Sequence, residues 1–597
     1  MDDQTKNLIL AFALSLAVIM GWFALFPPAE PQPGDTVAQS ELLPPPAAAA
    51  ALGADGVAVA EPLVETARIE IDTPRLAGSI AVTGGRFDDI RLRDYTETVD
   101  PESDLVHLLN PSGGNRHPFY AFFGWSPRGA LDYDLVPGPA TPWQQVGDNA
   151  LTLETPVTLQ WDNGAGLIFT RVISVDADYM FTVAQEIENT TDTAVSLDPY
   201  SLIAQHGIPT DIQKYYISHE GLVQMTDGAL LEADYGDMVD YPVSQSERIP
   251  THETTATTNG WIGFTSKYFM ATLVGAPGQA VTSVAQYVPG ADIYQASLRQ
   301  PTVTVQPGET ASASSMLFTG AKEFAVLNHY QNDDNIERFT DAIDWGWFFF
   351  LTRPIFRVLN FYHGLIGNMG WAILALTLTL KAILLPLAWK SYVSMARMKE
   401  LQPEMAALKE RAGDDRQKLQ QEMMKLYREK KVNPAAGCLP ILLQIPIFFS
   451  LYKVIFVTIE LRHAPWFWVF NDLSAPDPTS LFNLFGALPW AAPETGSLMA
   501  TAFLGLLPLL FGASMWFQMR LNPAPADPMQ ATIFNWMPWI FMFVMGGFAS
   551  GLLMYWIGNN VITFTQQYFI MRAHGSKPDI FGNIRASVRL PKGSKPK

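Results

Sequence analysis

The chain has 597 residues, room for two or more domains, and is 48% hydrophobic with only 16% charged residues, a balance unusual for a wholly soluble protein. Its formal net charge of −19 is unevenly spread: residues 30–345 hold 14 Lys/Arg against 43 Asp/Glu, while the remainder is net positive by 10. The acidic middle argues against nucleic acid as its partner, and the single cysteine, Cys438, leaves it without a disulfide.

In chain order, Leu8–Phe26 is an uncharged run of 19 residues followed by Phe26-Pro27-Pro28 rather than a small-residue cleavage pattern. Residues 1–26 therefore read as a retained transmembrane anchor. Residues 27–65 are rich in Pro and Ala (LPPPAAAAALGADG) and read as a flexible tether. From 66 to 335, runs such as LTLETPVTLQW and GLIFTRVISV alternate in β fashion between turn signals including Asn163-Gly164 and Pro307-Gly308, which predicts a large antiparallel β-sandwich. Its histidines (His107, His117, His206, His219, His252, His329) lack metal-ligand spacing and no nucleophile motif stands out, so binding or spacing is expected of it rather than catalysis.

Residues 353–366 (RPIFRVLNFYHGLI) place Ile355, Phe356, Leu359 and Tyr362 near one face and end at Gly367-Asn368, as an amphipathic helix on the membrane surface would, with a short core helix as the competing reading. Apolar runs at about 369–388, 435–457, 497–519, 531–547 and 550–571 bring the expected spans to six. Basic residues gather in 389–434, with 11 Lys/Arg against 7 Asp/Glu, and in 572–597, with 7 against the single Asp579. Basic flanks stay in the cytoplasm, so both termini are expected inside and the acidic domain outside.

The segment 390–431 carries two runs of helix formers divided by Gly413-Asp414-Asp415, which predicts a cytoplasmic helical hairpin. Its methionines, Met395, Met398, Met405, Met423 and Met424, suit either an adaptable partner surface or the seam between the arms. The tail 573–597 is basic and suits phosphate-rich RNA or a membrane surface equally.

Lys381 stands inside the run Met369–Trp389. A charge near mid-membrane costs on the order of 2.5–3.5 kcal/mol, so it faces a protein interior or wet cavity unless it snorkels toward Lys390. Thr377, one turn earlier, extends a polar stripe. In the last span Asn559, Thr563 and Gln566 share a face, with Asn560 and Gln567 alongside and Tyr555-Trp556 near one end. Gln444 and Gln518 add amides in two other spans, and together these residues predict a hydrated groove. The spans hold no Asp or Glu for a carboxylate proton relay, and the chain has no GxxxxGK[ST] loop for a nucleotide.

The stretches NPAAGCLPILLQIPIFFSLYKV and DPMQATIFNWMPWIFMFVMGGFASGLLMYWIGNNVITFTQQ resemble the YidC membrane protein insertases, a family related to insertases of mitochondria and chloroplasts. The resemblance is specific from about 354 to 572. It implies a bacterial inner-membrane insertase and foldase with a five-helix core over 369–572 and a groove open to cytoplasm and lipid. It also implies nascent membrane proteins, the Sec translocon, ribosomes and signal-recognition components as partners, the lipid bilayer as surroundings, and neither an enzymatic reaction nor a small-molecule cofactor. The chain departs from the family pattern with Lys381 where arginine is typical, Ala549 where proline is common, and Ala435-Ala436 after Asn433-Pro434. A secondary transporter or a membrane-anchored periplasmic binding protein are the alternatives: the first needs a solute site and usually repeated helices, the second only the β domain.

Overall fold

The computed structural model describes residues 67–574 apart from 101, 114–115, 130, 211, 213–217, 246, 414, 431, 433–438, 494–496 and 522–527. The expected anchor and tether, Cys438, most of the 520–530 loop and the tail beyond 574 lie outside the described residues.

Strands between Arg68 and Ala321 form two antiparallel sheets, one of ten strands and one of nine. The period-two pattern decides which side chains they bury: along Leu167–Val175 residues 167, 169, 171, 173 and 175 point inward. The hairpin leading into this strand turns at Asn163-Gly164, where Gly164 takes φ +71° and Asn163 Oδ1 accepts from the N–H groups of Ala165 (2.8 Å) and Leu167 (3.1 Å). Between the sheets Phe87 meets Phe181 edge to face at 5.4 Å, in the geometry aromatic pairs prefer. The expected sandwich is present.

The helices in chain order are α1 (Tyr235–Val239), α2 (Phe324–Asn332), α3 (Phe349–Ile366), α4 (Met369–Glu400), α5 (Gln402–Ala412), α6 (Arg416–Glu429), α7 (Leu439–Val457), α8 (Leu498–Ala502), α9 (Leu506–Met519), α10 (Pro528–Val544) and α11 (Ser550–Ala573). The chain after the last strand folds back on the sandwich. Tyr330 of α2 donates to Asp176 Oδ2 at 2.7 Å, and Trp261 Nε1 donates to the Glu337 carbonyl at 3.0 Å.

The sandwich rests on the helices through the end of α7 and the loop after it. Glu460 Oε1 accepts from the Phe324 N–H at 3.1 Å, Arg462 Nη2 donates to the Thr96 carbonyl at 2.6 Å, and Lys267 Nζ lies 3.7 Å from the centre of the Phe456 ring. On α3, Ile355, Phe356 and Leu359 are buried. Phe356 packs on Phe324 (5.2 Å) and Trp345 (5.3 Å), so the apolar face expected to meet lipid is turned to protein instead. The helix carries a second apolar set, Phe361, Leu365 and Ile366, on its exposed side.

Three features of the helical region depart from the sequence reading. First, α4 is continuous for 32 residues, so Lys390–Glu400 extends the apolar helix and the hairpin consists of α5 and α6 alone. No helix breaker lies between Lys390 and Glu400, and Pro403 falls in the first turn of α5, where its missing N–H costs no intrahelical bond. Second, the run expected to span at 497–519 leaves the helix at Phe503–Gly505. The Leu506 and Leu507 N–H groups at the start of α9 are taken there by Thr479 Oγ1 (2.8 Å) and Asp477 Oδ2 (2.6 Å). Third, by length and hydropathy two described runs can cross a membrane: α4, and Leu498–Met519 counted across its break. Leu442–Val457 is a shorter apolar stretch.

Close packing joins α11 to α4. A Cβ at Gly558 would come within 3.0 Å of Leu374, so glycine permits this approach.

Candidate functional site

Lys381 lies half-buried on α4, facing α7 and α11. Its Nζ donates to Thr563 Oγ1 at 2.8 Å and to Gln444 Oε1 at a long 3.5 Å. Gln444 Nε2 in turn donates to the Tyr555 hydroxyl, and Gln566 Nε2 reaches the Lys381 carbonyl at 3.5 Å. A single polar network therefore ties three helices together around one cation. Among the described residues no carboxylate pairs with Lys381, so amide and hydroxyl dipoles alone solvate its ammonium.

The other residues singled out from sequence divide into two groups. Asn560 Nδ2 donates to Ser514 Oγ on α9 at 3.0 Å, which links that helix to the same side of α11. Asn559 is buried, and its Oδ1 has no hydrogen-bond partner among the described residues. Thr377 departs from the expected polar stripe: its hydroxyl donates to the Ile373 carbonyl at 2.7 Å and the residue is 1% exposed, so it serves its own helix. Trp556 packs between Phe448 (5.1 Å) and Phe511 (5.3 Å), with its indole N–H buried and without a hydrogen-bond partner among the described residues.

The methionine stripe also divides. Met395 is buried with Tyr392 and Ile570, against α11 rather than in the hairpin. Met405 Sδ accepts from the Tyr427 hydroxyl at 3.7 Å across the two arms, which a 2.9 Å Lys430–Glu404 ion pair also joins. Met398 and Met423 are half-buried, and Met424 is 45% exposed.

Sequence reasoning missed Ser514, the lone hydroxyl in FGASMW, and Lys453, a second cation within an apolar run. Lys453 carried the same signal as Lys381, an isolated charge in an apolar span. It pairs with Asp344 at 2.5 Å near the C-terminal end of α7.

Two family models match consecutive parts of the chain: "YidC periplasmic domain" over residues 68–358 and "60Kd inner membrane protein" over 361–577. The membrane protein insertase YidC of Dinoroseobacter shibae is 58% identical over 609 residues, an alignment covering all of both chains. The chain belongs to the YidC membrane protein insertase family. The YidC of Cereibacter sphaeroides is likewise 58% identical, over 607 residues that cover all of this chain and 97% of that one. A crystal structure described as an active YidC insertase with its first transmembrane domain resolved matches 85% of this chain and 93% of its own, at 18% identity and a TM-score of 0.35. Within this YidC-family chain the Lys381 network lies wholly inside the second matched region.

Proposed function

We propose that the chain inserts and helps fold proteins of the bacterial inner membrane, alone or with the Sec translocon, through a hydrophilic groove open to cytoplasm and lipid. The observation that carries this reading is the single cation of Lys381 shared among α4, α7 and α11 and held by Thr563 and Gln444. Such a cluster draws water into an otherwise apolar bundle, lowering the cost of bringing a substrate's polar terminus into the bilayer. An acidic terminus gains most, from attraction to the ammonium. The substrate's apolar span then moves into lipid, and its burial, worth about 25 cal/mol per Å² of apolar surface, drives release without nucleotide.

In this reading α4, α7, α9, α10 and α11 form the five-helix core and residues 1–26 add the sixth span, with both termini cytoplasmic and the sandwich periplasmic. The Lys/Arg excess at 389–434 and 572–597 supports that orientation. The α5–α6 hairpin, with Met424 exposed, and the basic tail are the surfaces for ribosomes, signal-recognition components and the translocon.

The test is reconstitution of the purified chain into proteoliposomes without nucleotide, with a single-span substrate bearing a short acidic tail. Protease protection of that tail above the level of protein-free vesicles is expected. Protection no greater than in empty vesicles overturns the insertase reading, and saturable solute flux in its place would indicate a transporter.

A further inference from the structure

A cavity of about 710 Å³ opens where the sandwich, α3 and α7 meet, apart from the Lys381 network. One part of its wall is aromatic and open: Trp347 is 81% exposed, Phe349 54% and Phe449 49%. Phe449 continues an exposed apolar ridge on α7 formed by Leu442 and Ile445 at helical spacing. One turn beyond Phe449 stands Lys453, paired with Asp344. The boundary between apolar and charged surface on α7 thus falls inside the cavity.

The charged part is balanced, with Arg338, Arg353 and Lys453 set against Glu232, Asp341 and Asp344. Asp341 is taken by both Arg338 and Arg353, and Asp344 by Lys453. Two groups are left over. Arg353 keeps a third of its side chain exposed and its Nε has no hydrogen-bond partner among the described residues, while Glu232, which His219, Lys453 and Lys322 act on through space, makes no direct hydrogen bond or ion pair among them. A guanidinium with a donor to spare and a carboxylate without a direct partner, beside an aromatic wall continuous with an exposed apolar ridge, call for an amphiphile bearing an anion and a cation on one head.

We propose that this cavity holds one zwitterionic aminophospholipid of the outer leaflet, its phosphate at Arg353, its ammonium at Glu232 and an acyl chain along Phe449. The assignment rests on α7 crossing the membrane with Val457 outside, as in the function proposed above. The lipid would cement the sandwich to α3 and α7 at the membrane surface, where the cavity walls come from all three.

The test uses the full chain in detergent, stripped of lipid and titrated in native mass spectrometry with phosphatidylethanolamine and phosphatidylglycerol of identical acyl chains. The wild type should retain one phosphatidylethanolamine in preference to phosphatidylglycerol. Glu232→Gln should weaken that retention about tenfold and erase the preference, as loss of one charge contact near a surface does. Phe449→Ala should weaken retention of both lipids; both side chains are exposed, so each variant is expected to fold. Equal retention of the two lipids by the wild type, or retention of phosphatidylethanolamine unchanged in both variants, overturns the proposal. Insertion by the wild type is scored separately in proteoliposomes, so failure there with lipid retention intact counts against the insertase reading alone.

Discussion

Replacing Lys381 separates a charge effect from a packing effect, because its ammonium has no carboxylate partner among the described residues to be stranded. Of its three N–H donors, Thr563 and Gln444 occupy two, leaving one for water or a substrate oxygen. A substrate carboxylate one water away, at about 6 Å, and an effective dielectric of about 20–40 give an attraction of about 1.5–3 kcal/mol. That corresponds to about a tenfold to hundredfold advantage for an acidic tail over a neutral one. Lys381→Met should abolish the advantage while keeping a similar apolar stem, and Lys381→Glu should turn it into a penalty of similar size. Lys381→Arg should stay near wild type, since the guanidinium keeps the charge and its fork can serve both Gln444 and Thr563. The assay is a protease-protection time course in proteoliposomes at matched protein density, comparing substrates whose translocated tails differ only in Asp/Glu against Asn/Gln. Wild-type insertion of the acidic tail by Lys381→Met would refute the electrostatic mechanism. Equal loss for both tails would refute it too, because charge could not then be the cause.

Glu460 should make stability depend on pH. Its Oε2 is buried without a hydrogen-bond partner among the described residues, and burial, with Glu323 nearby, pushes the carboxyl up to about 7 from an ordinary 4.5. As pH rises from 4.5 the unfolded chain loses this proton first, so the fold is penalised progressively up to pH 7 and by a constant amount above it. Glu460→Gln should therefore raise the melting temperature of the detergent-solubilised protein at pH 8, with the gain vanishing by pH 4.5. Asp344 has the opposite sign: burial alone would raise its carboxyl, but Lys453 and the His219 and Gly346 N–H groups hold it below the usual range. Its contribution is thus present above an ordinary carboxylate pKa of about 4 and lost as pH falls through the lower folded value, so an Asp344→Asn/Lys453→Met cycle should show coupling at pH 7 that fades only in stronger acid. Arg171 is fully buried, with Nη1 donating to the Gly85 carbonyl at 3.1 Å, Nη2 to the Phe123 carbonyl, and the guanidinium 4.6 Å from the Trp143 ring. Arg171→Ala should cost about 3 kcal/mol or more in urea unfolding followed by tryptophan fluorescence, because it strands buried carbonyls, and a loss below about 1 kcal/mol would contradict this account.

The sandwich was legible because strand periodicity is local. Alternation along Leu167–Val175 and the Asn163-Gly164 turn require only neighbouring residues to be read. The polar sector of the last helix was legible for a related reason, since uncharged polar side chains at helical spacing stand out against an apolar run. Partnership was not local. Thr377 lies one turn from Lys381 on the same helical face, yet its hydroxyl is spent on Ile373, while the donor to Thr563 comes from 182 positions away. Met395 looked like part of the hairpin because of its position, but the uninterrupted α4 carries it against Ile570.

The sequence by itself determined the class of protein: an acidic β domain, apolar helices flanked by basic segments, a lone cation in a span, and motifs long enough to resemble one insertase family. Local pattern suffices there, because hydropathy, charge and periodicity follow from composition over a few turns. Tertiary structure alone decided which polar groups share the Lys381 cation, where α4 ends relative to the hairpin, and that Lys453 meets Asp344 beside an aromatic cavity. Those outcomes depend on side chains brought together from distant parts of the chain, and a buried charge takes whatever dipole or counter-charge the packing presents to it.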